Sequence, residues 1–140
     1  MSVKKVRYAV VGLGHIAQAA VLPAFRHARI NSQLSALVSG SRVTLSKLST
    51  MYKVEHTYDY DRYDECLESG AVDAVYLAIP NHLHKRYASA ALRKGIHVLC
   101  EKPLSLTVSD CKAIIRAAEE GGAKLMVAYR LHFDEANLNL

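Results

Sequence analysis

The amino-acid sequence predicts a doubly wound α/β domain, a single parallel sheet with helices on both faces. Three observations predict it. Short apolar runs alternate with helix-length amphipathic stretches along all 140 residues. The run DAVYLAI over residues 73–79 shows almost no polar alternation, as expected of a parallel strand covered on both faces. A glycine-rich seam, GLGHIA over residues 12–17, joins the first apolar run to the first helical pattern. Strand, crossover and parallel strand close with a right-handed turn, so this alternation winds into one parallel sheet.

Taken in order, strands are expected at 6–11, 33–38, 73–79, 97–100 and 124–128, with a weaker extended piece at 55–58. After the first strand, Ala17, Ala20, Val21, Ala24 and Ala28 follow helical spacing. Pro23 falls inside that pattern and lacks an N–H, which predicts a kink or a restart of the helix. Asp61 can cap the stretch RYDECLES ahead of Gly70, and Asn81 can cap HLHKRYASAALRK ahead of Gly95. In TVSDCKAIIRAAEEGG, Thr107 and Asp110 have capping-box spacing with Asp in place of the usual Glu. Gly121 and Gly122 are expected to stop that helix. No repeat, linker or low-complexity segment interrupts the alternation.

A chain of this length that is 51% hydrophobic makes one compact domain, burying roughly two-thirds of the surface its unfolded form exposes. MSVKKVR leads straight into a strand, and no apolar stretch approaches the roughly 20 residues of a membrane span. A soluble, cytoplasmic chain with no membrane partner is expected. Cys66, Cys100 and Cys111 are odd in number and form no CxxC pair, which fits reduced packing thiols better than a disulfide framework or zinc site. The net charge of +5 is dispersed, without a basic helix or block. Nucleic acid is not expected as a partner; an anionic small molecule explains the sign as well.

The glycine seam supplies such a ligand. Gly12 permits a sharp turn off the strand, Gly14 removes a Cβ that would block a pyrophosphate, and Ala17 lets the helix lie close to the sheet. The free N–H groups and positive dipole end near Gly14, His15, Ile16 and Ala17 would face the phosphates. A purely structural turn explains the glycines alone; their place after the first strand of an α/β chain favours a dinucleotide. At the end of the second strand, where NAD would need an acid for its ribose, the sequence is ALVSGSRVTLSK. Ser39, Gly40, Ser41 and Arg42 offer hydroxyls, a flexible turn and a guanidinium, which suits the 2′-phosphate of NADP. In the competing reading Ser41 only caps the next helix and Arg42 is a solvated surface residue.

Ile79-Pro80-Asn81, His82, His84 and the tripeptide Glu101-Lys102-Pro103, together with GLGHIA and the later KLMVAYRLHFDEAN, resemble the Gfo/Idh/MocA oxidoreductase family. The likeness is strongest to its glucose-fructose oxidoreductase branch and extends over nearly the whole chain from residue 6. It implies a Rossmann fold whose loop at Ile79, Pro80 and Asn81 flanks the cofactor, with His82 and His84 near the nicotinamide ribose. It further implies that Lys102 reaches the reacting oxygen as the catalytic group, that Glu101 orients cofactor or lysine, and that Tyr129 and Arg130 contact the nicotinamide side. His82 and His84 are a poor metal pair, because i, i+2 positions on a helix do not face one ligand; no metal is expected. His97 and His132 read as structural.

The chemistry so implied is hydride transfer between a sugar, polyol or related carbonyl compound and the nicotinamide, with the Lys102 ammonium stabilising alkoxide character and relaying a proton. Family members continue into a second α/β domain that closes the substrate site. Residues 1–130 are therefore expected to form the NAD(P)-binding domain and 131–140 the start of a linking helix, leaving a cofactor half-site that is inactive alone. The alternative is a non-catalytic NADP(H)-binding sensor or partner module. A methyltransferase would have no use for Ser39 to Arg42 or for the Glu-Lys-Pro loop. The oligomeric state stays open.

Overall fold

The computed structural model describes residues 3–138. Six strands, β1 (Val6–Val11), β2 (Ser32–Val38), β3 (His56–Tyr58), β4 (Ala74–Leu77), β5 (His97–Glu101) and β6 (Leu125–Ala128), form one sheet in the order β3-β2-β1-β4-β5-β6. Every pairing is parallel. The order reverses between β1 and β4, so the carboxyl ends of those two strands form the crevice in which ligands of such sheets bind.

The first helix answers the proline with a change of winding. Residues Ala17–Val21 form a π-helical segment, and the Leu22 N–H reaches the Ala17 carbonyl five residues back. A short α-helical turn, α1 (Leu22–Ala24), then restarts with Pro23 in its opening turn, where a missing N–H costs nothing. The other helices are α2 (Arg42–Tyr52), α3 (Tyr63–Glu68), α4 (His84–Arg93), α5 (Val108–Gly121) and α6 (Glu135–Leu138).

Alternate strand residues feed two cores. Ala9, Val11, Val75, Leu77, Val98 and Cys100 point to the face covered by α3, α4 and α5, where Tyr63, Leu67, Tyr87, Leu92 and Ile114 meet them. Val10 and Leu37 point the other way, against Ala17, Val21, Leu22, Leu45 and Leu48 of the first helix and α2. Burial holds the thiols of Cys66 and Cys100 up at about 12, so both act as inert packing groups.

Helix starts differ from expectation in two places. Asp59, not Asp61, caps the turn before α3: its carboxylate accepts from the Arg62 N–H at 3.1 Å, directly after β3 ends. Asn81 makes no capping bond, because the chain enters α4 through a 3₁₀ turn, Asn81–Leu83, held by the Leu83 N–H on the Pro80 carbonyl. Thr107 caps α5 through the Asp110 N–H as expected. The two glycines at its end divide the work. Gly122 takes the left-handed conformation that stops the helix, while Gly121 is its last residue, where a Cβ would lie 1.7 Å from the Leu92 carbonyl oxygen of α4.

Candidate cofactor site

Gly12 is the hinge of the site. It has φ of +91°, and a Cβ there would meet the Ala78 carbonyl oxygen at 2.4 Å and the Ile79 Cγ2 at 2.9 Å. Only glycine permits both the turn and the approach. The seam after β1 is thereby pressed against the segment after β4. Backbone bonds complete the junction: the Gly12 N–H donates to Val38 and the Ala78 N–H to Val11. Leu13 is buried beneath the turn and its carbonyl accepts from the Gln18 side chain at 2.7 Å.

Gly14 differs from Gly12. It is exposed, and a Cβ there would touch nothing within 4 Å, so the space beside it is open to a ligand. His15 and Ile16 are exposed beside it, whereas Ala17 is wholly buried and brings the helix onto the sheet. An exposed glycine, an exposed helix start and a close-packed third position fit a pyrophosphate.

At the end of β2, Ser39 is buried, donates its backbone N–H to Tyr58, and accepts at its hydroxyl from the Ser41 N–H. Ser41 caps α2 by accepting from the Thr44 N–H at 3.2 Å. Neither hydroxyl proton is given to a partner among the described residues, so both remain available to donate. Gly40 lies beside the Tyr60 ring, and Arg42 is exposed with no ion pair among the described residues.

The loops after β4 and β5 separate into surface and support. Pro80, Asn81 and His82 are exposed, while Ile79 is turned inward against Gly12. His84, expected near the ribose, is wholly buried instead. Its Nε2 lies 2.9 Å from the Ile79 carbonyl oxygen, and its Nδ1 lies 2.9 Å from that of Pro103 and 3.2 Å from that of Leu104. The ring ties two loops together and presents no nitrogen to the crevice. Glu101 ends β5 half-buried and accepts from the Tyr76 hydroxyl at 2.5 Å. Burial, and then the Glu101 carboxylate, push the Tyr76 phenol well above its ordinary range, so it stays a donor. Lys102 is exposed, and its peptide bond to Pro103 is cis.

Glu101, Lys102 and Arg130 line one concavity of about 900 Å³ with Ile16, Tyr76 and Tyr129. Ser39 to Arg42 and Pro80 to His82 lie outside it, at the ends of β2 and β4. Tyr76 escaped sequence reasoning. The one available signal was a phenol in the otherwise aliphatic run DAVYLAI, whose hydroxyl needs a partner when buried. Among the described residues no three of His, Cys, Asp and Glu gather as metal ligands, and no helix is long and apolar enough to cross a membrane.

Comparison with known proteins agrees with this geometry. The family described as "Oxidoreductase family, NAD-binding Rossmann fold", Gfo/Idh/MocA, matches residues 6–129. A D-xylose 1-dehydrogenase [NADP(+)] of Haloarcula marismortui is 32% identical over 132 residues, which are 94% of this chain and 36% of that protein. The aldose-aldose oxidoreductase of Caulobacter crescentus, solved with glycerol, superposes with a TM-score of 0.91 at 39% identity, covering 96% of this chain and 41% of that one. The 3-ketoreductase KijD10 of Actinomadura kijaniata, solved with NADP and TDP-benzene, gives 0.88 at 28% identity over 97% of this chain and 41% of that one. The chain thus spans about two-fifths of the length of these relatives. With the glycine turn, the strand order and the Glu-Lys-Pro edge all inside the matched region, the chain belongs to the Gfo/Idh/MocA oxidoreductase family and forms its NAD-binding Rossmann domain.

Proposed function

We propose that this domain binds NADP(H) in preference to NAD(H) and contributes Lys102 to hydride transfer on a sugar or polyol, within a site completed by chain beyond the Rossmann domain. The observation that carries the reading is the convergence of Glu101, Lys102 and Arg130 on one concavity beside Ile16, at the start of the first helix. The relatives support it: one is named as an NADP(+) xylose dehydrogenase and another was solved with NADP.

When bound, the cofactor would supply or accept the hydride. The chain's own residues do the rest. Backbone N–H groups from Gly14 to Ala17 hold the pyrophosphate at the positive end of the helix. Ser39, Ser41 and Arg42 donate to the 2′-phosphate, and no acid stands at the end of β2 to repel it. Pro80, Asn81 and His82 wall the crevice between the halves of the sheet. Lys102 stabilises negative charge on the substrate oxygen and holds or releases the proton there, with Glu101 orienting it. Lys102 is exposed in this domain, so further chain has to exclude water from the reacting centre. Residues 131–138 would begin the link to that chain, the last two positions expected in it, 139 and 140, lying outside the described residues.

Calorimetric titration tests the binding half. At about 1.5 to 3 kcal/mol for each charge-assisted hydrogen bond, NADPH should bind roughly tenfold or more tightly than NADH. Arg42→Ala should remove much of that difference. Equal affinities, or tighter NADH, would overturn the phosphate assignment. Cofactor-dependent oxidation of a sugar by the 140-residue chain would overturn the need for further chain.

A further inference from the structure

We infer that Tyr76 and His84 form a two-sided clamp that fixes the Glu101–Lys102 pair, one gripping the residue before Lys102 and the other the residues after it. The inference rests on the assignment of that pair to the nicotinamide end of the cofactor site. On the near side, Tyr76 of β4 pairs with Leu99 of β5, so Glu101, two residues on, lies on the same face of the sheet within reach of the Tyr76 phenol. The 2.5 Å bond from that phenol fixes the carboxylate. On the far side, His84, the first residue of α4, faces the carbonyl oxygens of Pro103 and Leu104 with one ring nitrogen and that of Ile79 with the other. Lys102 stands between these anchors, its side chain exposed and without a hydrogen bond or ion pair among the described residues. Its backbone is held on both sides while its ammonium is free to meet a ligand.

Packing alone does not account for either residue. A phenylalanine would fill the place of Tyr76 without burying a hydroxyl, and a leucine would fill that of His84 without burying an imidazole. Each polar group is retained where its partners are the tripeptide that carries Lys102, or the loop that flanks it. Holding a reacting group in place before the ligand arrives lowers the ordering cost of binding, and small displacements at such a centre cost disproportionately.

The test compares two ligands of the purified chain: NADPH, and adenosine 2′,5′-bisphosphate, which lacks the nicotinamide half. Tyr76→Phe should weaken NADPH at least fivefold and leave the bisphosphate unchanged. His84→Gln should do the same, whereas His84→Asn, which keeps a donor at the Nδ1 position toward Pro103 and Leu104, should recover most of the affinity. Parallel losses on both ligands, or no loss on either, would overturn the clamp. If the His84 variants do not fold, Tyr76→Phe decides alone, since it preserves the ring. A wild-type chain that binds neither ligand would overturn the cofactor reading, and the clamp with it.

Discussion

The two faces of the carboxyl-terminal half of the sheet are built from the same kinds of residue and end in different surroundings. Under α4 and α5, Val75, Leu77, Val98 and Cys100 are all but sealed. On the opposite face of the same strands, Tyr76 and Leu99 are only half-buried and Met126 is 47% exposed. The first helix and α2 cover that second face over β1 and β2 and reach no further across it than Tyr76 of β4. Apolar content of a parallel strand therefore reports that both sides avoid charge, while coverage depends on whether a helix lies above. The uncovered side is also the one that the proposed function uses, since Tyr76, Glu101 and Lys102 line its concavity.

Stability measurements can break or sharpen this contrast. The largest effect belongs to the sealed face: Leu92→Ala, at a wholly buried position of α4, should cost about 2 to 5 kcal/mol in denaturant unfolding. An intermediate effect is expected at the foot of the strands, where Arg7 of β1 grips Asp73, just ahead of β4, through bonds of 2.8 and 3.0 Å. The hydrogen bonds from Arg7 hold the Asp73 carboxyl down at about 2. Its unfolded value is near 4, so as pH falls the unfolded chain takes up the proton first. The stabilisation is complete above about pH 4 and is lost as pH falls towards 2. Both side chains are partly solvated, so it should amount to about 1 kcal/mol. Asp73→Asn should remove it, flattening the acid limb of a stability profile. The smallest effect belongs to the open face, where Met126→Ser should change stability by no more than about 0.5 kcal/mol. A cost matching that of Leu92→Ala would mean that this face is covered in solution.

Much of this was legible in the chain itself because it rests on local chemistry. All six strands, the Thr107 cap and the interruption at Pro23 follow from periodicity, capping residues and a missing N–H. The meeting of the glycine turn with the Ile79 loop was legible through the family resemblance, which implies that both flank one cofactor. What was hidden depends on direction across the sheet. The resemblance implies a place near the ribose for His84, yet after the 3₁₀ turn at Asn81–Leu83 it points inward, where three carbonyls surround it. Tyr76 reads as one more apolar strand position, because its partner Glu101 sits on a neighbouring strand. Asp59 outbids Asp61 as a cap because the helical turn begins directly after β3 ends at Tyr58, and no pattern of residue types announces that start.

The central place of β1 also sets an order of assembly. It is made first, yet its second neighbour, β4, begins only at Ala74. At about 5 to 20 residues per second of synthesis, the strand waits several seconds with one edge of N–H and carbonyl groups unpaired and its apolar side chains bare. Parallel pairing between distant segments is slow to form in any case. During that interval the nascent chain presents an extended segment, YAVV, that could add to a strand of any other chain, and the Arg7–Asp73 grip becomes available only as β4 arrives to end the exposure.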